Sequence, residues 1–287
     1  HLFGSPTVSG LAKQLQNGEQ QDALDVLLPL RKGEKPLFCV HPAGGLSWCY
    51  AGLLKTLPSD CAVYGVQAKG IGESSVLPRT LQEMAAGYIE AIQQVQSTGP
   101  YWLLGWSLGG NVVQEMAVQL EKQGQEVELL VVLDAYPVHF TPPFEMGEEA
   151  EALVALLALA GYEPDMDVDV TQSFVLEQLK AEGSAIASLS EENIFCLKEV
   201  YKNSIRLLKE HQPTPFTGDM LFFRSTLVPD WIPDVNALTW TPYVTGKILS
   251  HDIHCRHKDM CQPEPLSQIG RLIKETIKLK EENYPNV

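Results

Sequence analysis

The sequence predicts an α/β fold in which a mostly parallel sheet is flanked by helices, and three observations predict it. Short apolar runs alternate with amphipathic stretches from Pro36 to about Pro142. One such run ends in Gly105-Trp106-Ser107-Leu108-Gly109, with a helical pattern directly behind it. The alternation then gives way, over about 142–213, to an all-helical insertion and resumes beyond it. Strands joined through crossover helices lie parallel, and the helices cover both faces of the sheet they form.

The elements follow in order. Residues 1–16, "HLFGSPTVSGLAKQLQ", read as a turn and a short amphipathic helix, and 17–35, opening on the polar "NGEQQDALD", as a linker. "LFCV" reads as a strand, Trp48 to Leu57 as a helix, and "CAVYGVQA" as a second strand. Leu81, Met84, Tyr88, Ile92 and Val95 then recur at helical spacing. The strand "YWLLG" leads into a helix carrying Val112, Val113, Met116, Ala117 and Leu120, and "LLVVLD" follows as a strand.

In the insertion, "EMGEEAEALVALLALAG" has acids in its first turn and Gly161 in position to cap its end. It is apolar nearly all round, so one face is expected to pack on the sheet and the other to cover the pocket. A long helix follows "SLSEEN", where Ser188 and Glu191 have capping-box spacing, and carries Ile194, Leu197, Val200, Tyr201, Ile205 and Leu208. The strands "DMLFFRST" and "KILSHDI" and a helix through Leu266, Ile269, Leu272, Ile273 and Ile277 close the fold.

Composition narrows the function. A chain of 287 residues, 45% hydrophobic and 20% charged, can bury a full core without disulfides. With 21 Lys and Arg against 36 Asp and Glu the formal charge is −15, which repels nucleic acid and anionic membrane surfaces. Cys39, Cys49, Cys61, Cys196, Cys255 and Cys261 show no CxxC spacing, which argues against a zinc cluster and fits a reducing cytoplasm. No apolar stretch approaches the ~18 residues of a membrane span. The first residue, His1, reads as the start of a fragment of a longer chain.

Gly105-Trp106-Ser107-Leu108-Gly109 matches the nucleophile-elbow pattern of α/β-hydrolases, where a tight strand-to-helix turn presents a serine at the carboxyl edge of the sheet. A nucleophilic serine needs a base, and the base an orienting carboxylate. Asp134 ends the strand "ELLVVLD", which puts its carboxylate at the same edge, whereas Asp165, Asp167 and Asp169 fall in the insertion. "SHDIHCRHKD" offers His251, His254 and His257; the loop position of His257, ahead of the last helix, favours it over His254 as base. A metal site at this trio lacks any recognised carboxylate or cysteine spacing. The backbone N–H groups of Leu108 and of Ala43, in "FCVHPAGGLSW", are the candidates for an oxyanion hole. His41 reads as structural. Ser47 in "AGGLSW" imitates the serine of acyl carrier proteins, but it follows a strand rather than opening a helix.

With these residues in place the whole chain resembles the C-terminal (type I) thioesterase domain of a nonribosomal peptide synthetase. "PLFCVHPAGG", "GPYWLLGWSLGG", "VVLDAYP" and "CRHKDMCQP" carry the resemblance, nearest to siderophore synthetases of the enterobactin and bacillibactin type. It implies that residues 36–287 are the thioesterase, with a lid at about 142–213, and that 1–16 are the last helix of a preceding peptidyl carrier domain. It implies further that Ser107 takes a peptidyl chain from the 4'-phosphopantetheine arm of that carrier, with no cofactor in the domain itself. Release would follow by water or by an internal hydroxyl, cyclising in the siderophore relatives.

Overall fold

The computed structural model describes residues 23–71, 76–137, 147–159, 162, 170–181, 185–228 and 235–283. Its centre is a seven-stranded sheet: β1 (Leu27–Arg31), β2 (Lys35–Val40), β3 (Cys61–Val66), β4 (Tyr101–Trp106), β5 (Val127–Leu133), β6 (Met220–Ser225) and β7 (Ile248–Ile253), in spatial order β1-β3-β2-β4-β5-β6-β7. Every neighbouring pair is parallel except β1 and β3. Strands covered on both faces are apolar on both faces, and Leu37, Phe38, Cys39 and Val40 are all fully buried.

Alternate side chains leave opposite faces of the sheet. On one face Phe38, Val40, Leu103, Val132 and Phe222 meet α1 (Leu81–Gln93) and α2 (Leu108–Lys122). On the other, Leu37, Cys39, Leu104, Val131 and Phe223 meet α6 (Pro263–Asn283) and the 3₁₀ turn Trp48–Lys55. That second cluster continues into the insertion, which consists of α3 (Glu148–Leu159), α4 (Gln172–Ala181), the 3₁₀ turn Ala185–Ser188 and α5 (Glu191–Glu210).

Several expectations are corrected. Residues 27–31, expected within a linker, form β1: Leu28 and Leu30 alternate into the core, and Pro29, which has no N–H to give, is tolerated because the strand is an edge. The Arg31 guanidinium holds it down by donating to the carbonyls of Cys61, Leu54 and Pro58. The expected helix over Trp48 to Leu57 is a 3₁₀ turn, and Val95 lies past the end of α1, exposed. Ser190, not Ser188, caps α5: its Oγ accepts from the N–H of Asn193 at 3.1 Å, while Ser188 closes the preceding 3₁₀ turn. Glu191 and Glu192 then sit in the first turn, where the helix dipole favours acids.

The insertion has one more helix, α4, than the two marked in the sequence. α3 packs on α4 and α5, and its Leu153, Leu156 and Leu157 belong to the same apolar cluster as Leu104, Val131 and Phe223 of the sheet. The expected carrier helix at 1–16 and the Gly161 cap lie outside the described residues. Among the described residues no helix is long and apolar enough to cross a membrane.

Candidate active site

Three neighbouring parallel strands each end in a residue of the site. β4 runs into Ser107, β5 into Asp134, and β6 ends at Ser225. The ends are pinned together: Ser107 N–H donates to Leu133 O at 3.1 Å, and Asp134 N–H to Phe223 O at 2.7 Å. Tyr50, fully buried, ties in a fourth strand, its hydroxyl donating to Val40 O and accepting from Trp106 N–H.

Ser107 adopts φ 56° and ψ −128°, a conformation that costs a non-glycine residue about 1–3 kcal/mol and is kept only where the surroundings enforce it. The glycines of the motif are what let them do so. A Cβ on Gly105 would stand 2.1 Å from Gly109 O, one on Gly109 would stand 2.5 Å from Val40 O, and one on Gly110 would stand 2.4 Å from the Ala135 Cβ. The turn is therefore closed by backbone lying directly on backbone. Leu108 opens α2, so its N–H has no carbonyl one turn back and lies at the positive end of the helix dipole.

Asp134 is 4% exposed, also at positive φ (45°), and both its oxygens are saturated. Oδ1 accepts from Ser225 N–H at 2.9 Å and from the Tyr136 hydroxyl at 3.0 Å. Oδ2 accepts from the Ser225 hydroxyl at 2.5 Å and from His257 Nδ1 at 2.8 Å. Burial alone would raise the carboxyl pKa, but the hydrogen bond and charge of His257 and the two donors of Ser225 outweigh it and hold Asp134 below the ordinary value. With Nδ1–H committed to Asp134, Nε2 of His257 is left to accept a proton. The ring lies against that of Trp106, beside Ser107, at 5.5 Å and 39°. His257 itself is half exposed, on the 3₁₀ turn His257–Asp259 after β7.

The loop after β2 is fixed at both ends: His41 N–H donates to Val66 O, Gly45 N–H to Pro42 O, and Ala68 N–H to Gly45 O. Ala43 lies half-buried between these anchors. Gly45 has φ 84°, and a Cβ there would meet Val200 of α5 at 2.8 Å, so the insertion touches this loop directly. His41 is fully buried and bonded at both nitrogens, to Pro42 O and to the Tyr88 hydroxyl, each at 2.6 Å; burial lowers its pKa to about 4.

The remaining candidates separate. His254 pairs with the Thr226 hydroxyl at 3.2 Å, and His251 stacks on Phe223. Ser47 is fully buried under Gly65, where a carrier serine must be reachable. Asp165, Asp167 and Asp169 lie outside the described residues. Among the described residues no cluster of His, Cys, Asp and Glu could hold a metal ion. Ser225, Tyr136 and Trp106 were not marked in the sequence; for Ser225 the signal was available, since it ends a strand at the same edge as Asp134.

A mostly parallel sheet with a tight serine turn and a carboxylate–histidine pair at its carboxyl edge, interrupted by a helical insertion, has the α/β-hydrolase fold. The chain belongs to the Thioesterase domain family, whose model matches residues 35–277.

Its relatives agree with the resemblance read from the sequence. The chain is 56% identical over 287 residues to a dimodular nonribosomal peptide synthase of Bacillus subtilis, with 99% of this chain and 12% of that protein aligned. It is 26% identical to enterobactin synthase component F of Escherichia coli, with 91% of this chain and 19% of that protein aligned. The chain thus spans under a fifth of the length of these two relatives. Among solved structures, the thioesterase domain that cyclises the lipopeptide antibiotic surfactin shares the fold: TM-score 0.64 at 21% identity, over 89% of this chain and 97% of that one.

Proposed function

We propose that this domain releases a peptidyl chain from the 4'-phosphopantetheine arm of an upstream carrier domain in the cytoplasm, through an acyl-Ser107 intermediate. The observation that carries the reading is the Asp134–His257 hydrogen bond at the sheet edge where the strained Ser107 turn ends β4. In the first half-reaction Ser107 Oγ bonds to the thioester carbonyl carbon as its proton passes to His257 Nε2. The backbone N–H groups of Leu108 and Ala43 hold the developing oxyanion, the C–S bond breaks, and the proton goes to the departing sulfur. In the second, a hydroxyl gives its proton to His257 and attacks the ester carbon; the bond to Ser107 Oγ breaks, and His257 returns the proton to that oxygen.

The acceptor hydroxyl we assign is one carried by the chain itself, giving macrolactone formation and joining of repeated units, as in siderophore assembly. Similarity to enterobactin synthase component F supports that assignment. α3 and α5 act as a lid that keeps water from the ester. Hydrolytic release is the competing outcome; a stand-alone editing thioesterase, a general serine esterase or a non-catalytic hydrolase-fold module fits less well with relatives that are far longer peptide synthetases.

Incubation with a carrier-loaded peptidyl thioester tests the reading. The expected product is lighter by one water than the linear acid, and a fluorophosphonate labels Ser107. Linear acid alone overturns cyclisation, and unchanged turnover by Ser107→Ala overturns the mechanism.

A further inference from the structure

Asp134 has donors on both carboxylate oxygens, and those donors are unequal. Ser225 is buried and meets both carboxylate oxygens, N–H to Oδ1 and hydroxyl to Oδ2. Its hydroxyl therefore shares Oδ2 with His257, while Tyr136 donates to the other oxygen.

Three further contacts make this a built arrangement. Ser225 ends β6 in register with Ile253 of β7, and Thr226 N–H donates to Ile253 O, so the strand carrying Ser225 is fixed on its far side. The Trp240 indole donates to Ala135 O at 2.8 Å, holding the peptide between Asp134 and Tyr136. Tyr136 packs its ring on Phe222 at 5.5 Å, which aims its hydroxyl back at the carboxylate.

A carboxylate with two free oxygens could meet His257 through either of them or take a proton itself. We infer that Ser225 and Tyr136 are positioning residues for the proposed reaction: they keep Asp134 ionised and fix Oδ2 as the oxygen that orients His257. The inference rests on the proposed role of Ser107, His257 and Asp134. A donor to the ionised carboxylate favours that form, so its loss lets Asp134 take a proton at higher pH. Once Asp134 is protonated it no longer accepts from His257 Nδ1 as a carboxylate, so the acid limb of reactivity then moves to higher pH. A residue that merely fills space would lower reactivity equally at every pH.

The test is the rate of Ser107 labelling by a fluorophosphonate, measured on the 287-residue chain from about pH 4 to pH 9, a range that brackets a carboxylate–imidazole pair. Ser225→Ala is expected to slow labelling about tenfold at neutral pH, the weight of a lost hydrogen bond to a charged group, and to move the acid limb upward. Tyr136→Phe, which removes one hydroxyl from a half-buried ring and spares the fold, is expected to move the limb the same way by less. Ser225→Thr, which keeps the hydroxyl, restores the limb. An acid limb unmoved in both Ser225→Ala and Tyr136→Phe, with wild-type Ser107 labelled, overturns this inference alone. Absence of Ser107 labelling in the wild type overturns the catalytic reading beneath it.

Discussion

At the carboxyl edge of the sheet, Ser107, Asp134 and Ser225 are held by backbone: strand-to-strand hydrogen bonds and glycines at contact distances where no side chain fits. In the insertion, α3 is held to α5 differently. Their buried leucines and valines form a greasy seam, and around it Glu149 pairs with Lys198 and Lys202 while Glu151 accepts from the Tyr201 hydroxyl. α5 is the intermediate layer, fastened to the core by Asn203 on Pro78 O, Arg206 on Arg79 O, and Val200 against Gly45. Backbone packing tolerates almost no displacement, whereas an apolar seam between helices closed by side-chain pairs shifts at smaller cost. The proposed catalytic geometry is thus placed where the fold is stiffest, and the proposed lid where it is softest.

Breaking the stiff side gives the largest effects. Ser107→Ala is expected to lower kcat by on the order of 10⁴–10⁶-fold with the fold intact, read by thioester turnover alongside circular dichroism. Asp134→Asn is expected to cost about 10⁴-fold in kcat, because an amide holds the wrong imidazole tautomer. Gly109→Ala is predicted to destabilise by about 3 kcal/mol or more in denaturant melts, since its methyl must displace the backbone at Val40 and His41. Wild-type stability in that variant would show the elbow to be more pliant than its contacts imply.

Intermediate in size is a pH effect centred on His41. Its folded pKa, about 4, lies below the ~6.5 of an unfolded histidine, so the unfolded chain binds the extra proton between those values. Stability contributed by neutral His41 is complete above about pH 6.5 and is lost as pH falls toward 4. Replacing His41 with Gln removes its share of the slope and leaves that of His211, whose pKa burial also lowers to about 4; chemical denaturation at a series of pH values measures the difference. The smallest effect sharpens the soft side: Glu149→Gln, which takes a carboxylate from the buried Lys198, is expected to raise amide exchange in α3 without touching the Ser107 labelling rate. A large loss of labelling would show the two regions to be one cooperative unit.

The sequence made the sheet edge easier to read than its supports. Ser107 and Asp134 are marked by strand-ending positions, a local signal, and His257 by its place between the last strand and the last helix. Ser225 also ends a strand, but that it faces Asp134 is set by the register of β5 against β6, which no local pattern carries, and Tyr136 reaches Asp134 through the turn after β5. β1 was hidden because its Leu28 and Leu30 stand beside a proline and behind a polar lead that reads as linker. Ser188 and Ser190 both precede Glu191, and spacing alone chose the wrong one; only backbone dihedrals separate a 3₁₀ end from an extended cap.

β1 has one more consequence, for where this domain can be cut. The family match begins at residue 35, yet Leu27–Arg31 covers one whole side of β3. A chain trimmed to that match would present a row of unsatisfied N–H and C=O groups on an apolar strand, a template for edge-to-edge aggregation. Arg31, clamped on three carbonyls, and Pro29, which has no N–H to offer an outer partner, make the intact strand a self-limiting border, built from five residues outside the proposed chemistry.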